Sequence, residues 1–154
     1  MITPVIVANN FIMRALNEGI PLSPMKLQKL IYFLYRDYLQ ETGEKLFYEP
    51  FEAWQYGPVV ASVYDEFKGF GARTITRFAR DSLGDVYTAT EDGEFGKCLE
   101  RVWEEYKNFS GWNLSLLTHQ ADTAWRKAIE TNSRNLTDED IRNEQRQHEY
   151  TSIF

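Results

Sequence analysis

One stretch of this chain, from Met25 to about Glu41, limits the fold more than any other. Ser23-Pro24 provides a helix start, because serine caps helices and proline needs no N–H in the first turn, and Gly43 provides an end. More than half of the circumference of this helix is apolar or aromatic, through Leu27, Leu30, Ile31, Leu34 and Tyr38 with Tyr32, Tyr35 and Leu39 beside them. We therefore predict a central, mostly buried helix that the rest of the chain surrounds.

The remaining sector of this helix carries charge. It contains Lys26, Lys29, Phe33, Arg36 and Asp37. Charged side chains on one side of an amphipathic helix are typical of a solvated face. We expect this sector to be exposed, with Phe33 as an aromatic among cations.

Further helices are predicted on both sides of the central one. Thr3-Pro4 opens an amphipathic helix that Gly19 ends, and the segment from Glu94 to Phe109 has the clearest apolar face. Shorter helices are expected from Leu114 to Thr118 and from Thr123 to Glu130. Thr137, followed by three acidic residues, opens a terminal helix.

An aromatic run from Phe51 to Tyr56 stops at Gly57-Pro58. Glycine allows a sharp turn, and proline suits the first position of a helix. We predict an extended piece with Trp54 in the core, followed by a helix that begins at Pro58.

Two stretches favour β-structure, Arg73 to Arg80 and Val86 to Thr90, and the turn-rich residues between them suggest a hairpin. Because two strands alone are marginal, a third strand from Ala53 to Tyr56, or packing on a helix, is needed. The predicted fold is mainly α (α+β). It is one compact domain of about five to seven helices with a small two- or three-stranded antiparallel sheet.

Composition narrows the classes of function. With 154 residues, 43% of them hydrophobic, the chain suits a single core. Its net charge of -6 opposes binding to nucleic-acid phosphate and to anionic lipid, and favours a basic protein partner. The single cysteine, Cys98, cannot form an internal disulfide. With no leader or membrane-span pattern, we expect a cytoplasmic protein without membrane association.

Few residues suggest catalysis. His119 and Asp122 lie three positions apart and could form an acid-base pair, but the other histidine, His148, sits in a polar C-terminal stretch. We interpret His119 as a capping or hydrogen-bonding residue. The sequence shows no metal-ligand motif, phosphate loop or nucleophile elbow, so we predict no catalytic, cofactor-binding or metal-binding residue and no enzyme.

A set of basic residues could form a positive patch on this acidic protein. Arg73, Arg77 and Arg80 lie in or beside a predicted strand, and the charged sector of the central helix adds more. No helix-turn-helix or aromatic stacking platform accompanies them, so direct nucleic-acid binding is disfavoured. An aromatic among cations is the kind of anchor that protein interfaces use. The predicted partner-binding residues are Lys26, Lys29, Phe33, Arg36, Arg73 and Arg77.

Three motifs follow one another in order. They are Lys26-Leu27-Gln28-Lys29-Leu30-Ile31-Tyr32-Phe33, then Phe51-Glu52-Ala53-Trp54-Gln55-Tyr56-Gly57-Pro58-Val59-Val60 with Val63-Tyr64, then Leu114-Ser115-Leu116-Leu117-Thr118-His119 with Trp125-Arg126-Lys127-Ala128. In these motifs and their spacing the chain resembles the Panacea domain, which occurs in SocA-like antitoxins and phage-associated GepA-like proteins.

The resemblance implies a domain over residues 4–141, followed by a polar helix end or tail over residues 142–154. It implies a scaffold role for the motif residues Trp54, Gln55, Tyr56, Gly57, Pro58, His119 and Trp125. The family often has proline where this chain has Ala61 and Ala124, and both positions lie at expected helix starts.

The resemblance also implies a function. Family members neutralise a toxin encoded beside them, usually by direct binding, and one branch instead delivers its toxin to the ClpXP protease. We therefore expect an antitoxin with a cognate protein toxin as its partner. The alternatives are a ClpXP adaptor, a prophage accessory protein without a toxin, and a small enzyme that uses His119 with Asp122. A homodimer is also compatible with the sequence.

Overall fold

The structure, a computed structural model, describes residues 2–146. Within that range the chain forms seven α-helices and one two-stranded antiparallel sheet, which confirms the predicted fold class. In chain order the elements are α1 (Pro4–Glu18), α2 (Pro24–Thr42), β1 (Glu52–Trp54), β2 (Gly57–Val59), α3 (Ala61–Phe67), α4 (Gly93–Tyr106), α5 (Gly111–Thr118), α6 (Ala124–Glu130) and α7 (Asp138–Asn143).

Helix α2 is the centre of the fold, as predicted. It begins where the Ser23 hydroxyl accepts a hydrogen bond from the Lys26 N–H, and it ends at Gly43 in a left-handed conformation with φ 76°. Five helices and β2 pack against it: α1, α3, α4, α5, α7. Because these contacts cover every side, α2 has no solvated face along most of its length.

The prediction of an exposed charged sector on α2 is therefore wrong. Lys26, Lys29, Phe33, Arg36 and Asp37 are all buried. Phe33 stacks on Tyr106 of α4 at 4.6 Å between ring centroids. The charged groups are buried because distant parts of the chain supply hydrogen-bond acceptors for them, which a helical wheel does not reveal.

Arg36 lies in a buried polar network with the C-terminal end of the described chain. Its guanidinium contacts Asp37 at 3.0 Å and Glu144 at 3.2 Å. Burial alone would lower the pKa of Arg36, but these carboxylates raise it above its ordinary value. Glu144 also accepts a hydrogen bond from the Tyr32 hydroxyl at 2.6 Å. The domain boundary after Ile141 stays a prediction, and His148 lies outside the described residues.

The predicted hairpin of Arg73 to Arg80 with Val86 to Thr90 is wrong, because neither stretch forms a strand. Two buried asparagines of α1 hold these segments instead. Asn9 accepts from the Ala79 N–H at 2.8 Å and donates to the carbonyls of Ala79 and Tyr87. Asn10 pairs with both backbone groups of Ala89. Amide side chains thus satisfy backbone groups that a ladder would otherwise satisfy.

The observed hairpin is formed by β1 and β2. Glu52 pairs with Val59, Ala53 with Pro58, and Trp54 with Gly57, which leaves Gln55 and Tyr56 as a two-residue turn. The strand predicted from Ala53 to Tyr56 corresponds in part to β1, and an isolated bridge joins Glu52 to Asn135.

Pro58 lies in β2 and does not start a helix, which corrects the prediction; α3 begins at Ala61. Its partner Ala53 donates its N–H away from β2, to the Arg134 carbonyl at 2.8 Å. The pair therefore needs no N–H from Pro58, and a proline is tolerated in this strand.

Candidate protein interface

The turn of the β1–β2 hairpin is held by side chains of α5 and α6 and by His119, which directly follows α5. The carbonyl of Trp54 accepts a hydrogen bond from Trp125 Nε1 at 2.7 Å, and the carbonyl of Tyr56 accepts one from Ser115 Oγ at 2.5 Å. Between them, His119 Nε2 lies 2.9 Å from the Gln55 carbonyl oxygen. Three consecutive carbonyls are thus fixed by three side chains, and we call this arrangement the hairpin clamp.

Helix α2 holds the second half of the hairpin. Gln28 forms two hydrogen bonds with the backbone of Val60, accepting from its N–H at 3.0 Å and donating to its carbonyl at 3.1 Å. Lys29 Nζ donates to the Pro58 carbonyl at 3.1 Å. The backbone from Trp54 to Val60 is therefore fixed on both strands.

Glycine is required where the hairpin lies against α2 and α5. Gly57 has φ +118°, and a Cβ there would stand 2.6 Å from Thr118 Oγ1 and 2.8 Å from Lys29 Cε. Neither the conformation nor the space suits a side chain. Gly57 therefore allows the hairpin to approach its clamp closely.

While the backbone is clamped, the aromatic side chains point outward. Tyr56 is 47% exposed and contacts Trp112 of α5, which is 55% exposed, at 6.1 Å between ring centroids. Trp54 is partly buried and contacts the exposed Tyr64 of α3 at 4.7 Å. Leu116, one helical turn after Trp112, is also exposed. We call these five side chains the aromatic face.

A cleft of about 370 Å³ lies within this face, between the hairpin and the first turns of α2. Its walls include Trp54, Tyr56 and Tyr64, with Met25 and Lys29 from α2. Burial lowers the pKa of the Lys29 ammonium to about 7. The cleft is therefore a largely apolar site with a single buried amine.

A family model described as antitoxin SocA-like, Panacea domain, matches residues 27–126. The chain belongs to this Panacea family. The matched range begins in α2 and ends in α6, so it spans every residue of the hairpin clamp and the whole aromatic face. The motifs that carry the family resemblance include the five residues whose side chains hold the hairpin, namely Gln28, Lys29, Ser115, His119 and Trp125.

Among curated proteins, the chain is similar to Antitoxin SocA of Caulobacter vibrioides (strain NA1000 / CB15N). The two are 32% identical over 124 residues, which is 77% of this chain and 66% of the relative. The chain thus spans slightly less than two thirds of the length of that relative. No solved structure matches it.

The structure does not gather the predicted partner-binding residues of this Panacea chain into one surface. Lys26, Lys29, Phe33 and Arg36 are buried, whereas Arg73 and Arg77 are exposed in the segment after α3. Arg77 pairs with Glu66 at 2.9 Å. Lys29 differs from the other buried members because it lines the cleft in the aromatic face.

The family-motif residues are placed in different ways. Gly57 and Pro58 are buried, whereas Trp54 is only partly buried, so the expectation of a core tryptophan is wrong. Trp125 is buried and its ring lies 3.8 Å from that of His119 between centroids. Gln55 and Tyr56 contribute backbone carbonyls to the clamp and expose their side chains.

Both ring nitrogens of His119 face backbone carbonyl oxygens, but only Nε2 belongs to the clamp. Nδ1 lies 2.6 Å from the Ser115 carbonyl oxygen, and Nε2 faces the Gln55 carbonyl. A carbonyl can only accept, so whichever nitrogen carries a proton donates it to the backbone. Within residues 2–146 no hydrogen bond joins His119 to Asp122, and no group of three potential metal ligands occurs. In the same range no helix is both long and apolar enough to cross a membrane.

Sequence reasoning missed the aromatic face. Large aromatics are usually buried, so the sequence predicts Trp54 in the core and indicates no role for Trp112 or Leu116. Their spacing of four residues did carry a signal, because it places both on one side of α5. What the sequence could not show is that α2 meets the opposite side of that helix.

Proposed function

We propose that this chain is an antitoxin that neutralises a protein toxin by binding it directly through the aromatic face. The observation that carries the proposal is the combination of a clamped backbone and exposed aromatic side chains on the same hairpin. Tyrosine and tryptophan are enriched among the residues that dominate binding energy at protein interfaces. A partner that covers Tyr56 and Trp112 would bury both rings together.

Two further observations support this proposal. The similar curated protein from Caulobacter vibrioides is named Antitoxin SocA. The net charge of -6 favours a partner with basic character, because complementary charge accelerates encounter. We assign the chain a binding function without catalysis, since His119 is committed to backbone carbonyls.

Co-expression tests the proposal. The product of the gene beside this one should arrest growth alone, and this chain should relieve the arrest and co-purify with it. Replacing Tyr56 and Trp112 together with alanine should lower affinity about thirtyfold, which corresponds to roughly 2 kcal/mol. Tyr87→Ala is the matched control. Tyr87 is similarly exposed, at 54%, but it lies in the segment held by Asn9 and does not belong to the aromatic face. Equal affinity of the double variant and wild type would reject this face.

Toxin stability separates direct neutralisation from delivery to a protease. Under direct binding, the toxin level in co-expressing cells stays the same whether or not ClpXP is present. A toxin that disappears only when both this chain and ClpXP are present would replace direct neutralisation with the adaptor mechanism.

A further inference from the structure

One charged residue, Lys29, lines the cleft in the aromatic face. Of the described residues that line it, Lys29 alone is charged, and the others are apolar, aromatic, amide or glycine residues. The side chain of Lys29 is buried, with 1% of the residue exposed. Among the described residues, the cleft is therefore lined by one buried amine and by no carboxylate.

Among residues 2–146, the hydrogen-bonding capacity of this ammonium is incompletely used. Lys29 Nζ donates to the Pro58 carbonyl at 3.1 Å, whereas an ammonium has three N–H donors. Among residues 2–146 no carboxylate forms an ion pair with Lys29, and burial is the sole cause of its lowered pKa. A buried charge without an opposite charge is unfavourable, and an incoming anion would stabilise it.

Lys26 is a second buried lysine of α2, and within the described chain its ammonium has two backbone acceptors where that of Lys29 has one. It lies three residues earlier on the same helix and is also buried. Its Nζ donates to two carbonyls, those of Pro21 and Lys107, and it lines a separate cleft beside α4. The contrast makes Lys26 a matched control for Lys29.

Building on the proposed function, we propose that this cleft receives the side-chain carboxylate of a glutamate or aspartate from the partner protein, and that the carboxylate pairs with Lys29. Opposite charge and the apolar walls favour this occupant, because an ion pair is stronger where water is excluded. A volume of about 370 Å³ accommodates such a side chain together with apolar neighbours.

The position of the cleft favours a side-chain carboxylate of the partner over the carboxylate at its C-terminus. Trp54 and Tyr64 form part of its wall, and Tyr56 extends the wall toward Trp112. A partner segment that covers both aromatic pairs crosses the mouth of the cleft and continues beyond it. The acidic residue of the partner therefore lies within an apolar segment. A partner with net positive charge can still contain it, because net charge governs the rate of encounter, whereas this local contact fixes how the two proteins align.

Affinity measurements with the toxin from the neighbouring gene provide the first test. Lys29→Met keeps the aliphatic stem and removes the ammonium, so it should weaken binding about tenfold or more. Lys29→Gln is the second variant, since it retains a donor for the Pro58 carbonyl. Lys26→Met should bind like wild type. Equal affinities for wild type and both Lys29 variants would overturn the inference while leaving the aromatic face intact.

Peptides test the site without the toxin. The probes are acetylated and amidated Leu-Leu-Glu-Leu-Leu, its glutamine twin, and the glutamine twin with a free terminal carboxylate. The glutamate peptide should shift the ¹³Cε resonance of Lys29 and bind more tightly than both others. Equal affinity of glutamate and glutamine peptides, or an unmoved Lys29 resonance, would reject the proposal. Tightest binding by the free carboxylate would reject the side-chain source.

If the toxin fails to bind wild type but the glutamate peptide shifts Lys29, the proposed function fails and the carboxylate site stands. If the toxin binds and neither Lys29 nor the glutamate affects binding, the function stands and the carboxylate site fails. The two hypotheses are therefore separable.

Discussion

Glu144 accepts a hydrogen bond from the backbone N–H of Ala124, at 2.9 Å, across twenty residues of chain. Ala124 is the first residue of α6, and a first-turn N–H has no partner within its own helix. The family often has proline at this position, and proline has no N–H to donate. Here alanine provides a donor for a carboxylate that also binds Tyr32 and Arg36.

Restoring proline at the two family positions should have opposite effects. Ala124→Pro removes the hydrogen bond to Glu144 and should lower the free energy of unfolding by about 1 to 2 kcal/mol. Ala61 is likewise the first residue of its helix, α3, and the preceding Val60 already has the extended conformation that a following proline requires, with φ -93° and ψ 119°. Ala61→Pro should be neutral or stabilise by about 0.5 kcal/mol. Urea unfolding measures both, and equal effects would show that the Glu144 contact contributes nothing.

Gly57→Ala should destabilise the protein by about 3 kcal/mol, because strain and overpacking both act at this position. The added methyl group would contact Thr118 and Lys29 at distances no Cβ adopts. Gly84→Ala is the control, since Gly84 has φ +85° but nothing lies within 4 Å of its Cβ position. A larger loss for Gly57→Ala in thermal and urea unfolding supports the close approach. Similar losses would attribute the effect to backbone strain alone.

Stability should depend on pH through Lys29. The folded state loses this proton near pH 7, whereas a lysine in the unfolded chain keeps it until about 10.5. Between these values the unfolded chain binds more protons, so the stability contributed at this site rises with pH. Relative to Lys29→Met, the free energy of unfolding of wild type should increase by about 2 kcal/mol from pH 7 to pH 9. Parallel stability curves for the two proteins would contradict a buried, unpaired lysine.

Asn9→Ala should release one segment of the chain locally. It leaves the buried Ala79 N–H without its acceptor, at a cost of about 1 to 3 kcal/mol. Hydrogen exchange at the Ala79 amide should accelerate markedly, while the Ala89 amide, held by Asn10, should change less. Asn10→Ala should show the reverse preference. Identical exchange patterns in the two variants would mean that both asparagines hold a single cooperative unit.

The sequence predicted those parts of the fold that are encoded locally. Ser23-Pro24 and Gly43 marked α2 because caps and apolar spacing depend on neighbouring residues alone. The burial of Lys26 and Arg36 could not be predicted, because their partners, the Lys107 carbonyl and Glu144, lie far away in the chain. Helical periodicity places both side chains on a solvated face. In both cases a hydrogen-bond acceptor distant in the sequence allows the charged group to be buried instead.

The candidate site was predictable only in part. The sequence predicts a scaffold role for His119, and in the structure both of its ring nitrogens lie against backbone carbonyls. Aromatic residues are usually buried, so the sequence does not indicate that Tyr56 is exposed. In the structure its backbone is held in the clamp and its side chain is exposed. The strand predicted near Ala79 does not form. A side-chain amide from α1 pairs with the Ala79 backbone groups that a neighbouring strand would otherwise satisfy.

The hairpin clamp has a consequence for the thermodynamics of association. A flexible loop loses conformational entropy when it is immobilised at an interface, and this loss subtracts from the affinity. The turn of Gln55 and Tyr56 has already lost that freedom during folding, because Ser115 and His119 hold its carbonyls. A partner that contacts Tyr56 therefore meets a backbone ordered in advance, and less of the interaction energy is consumed by ordering it.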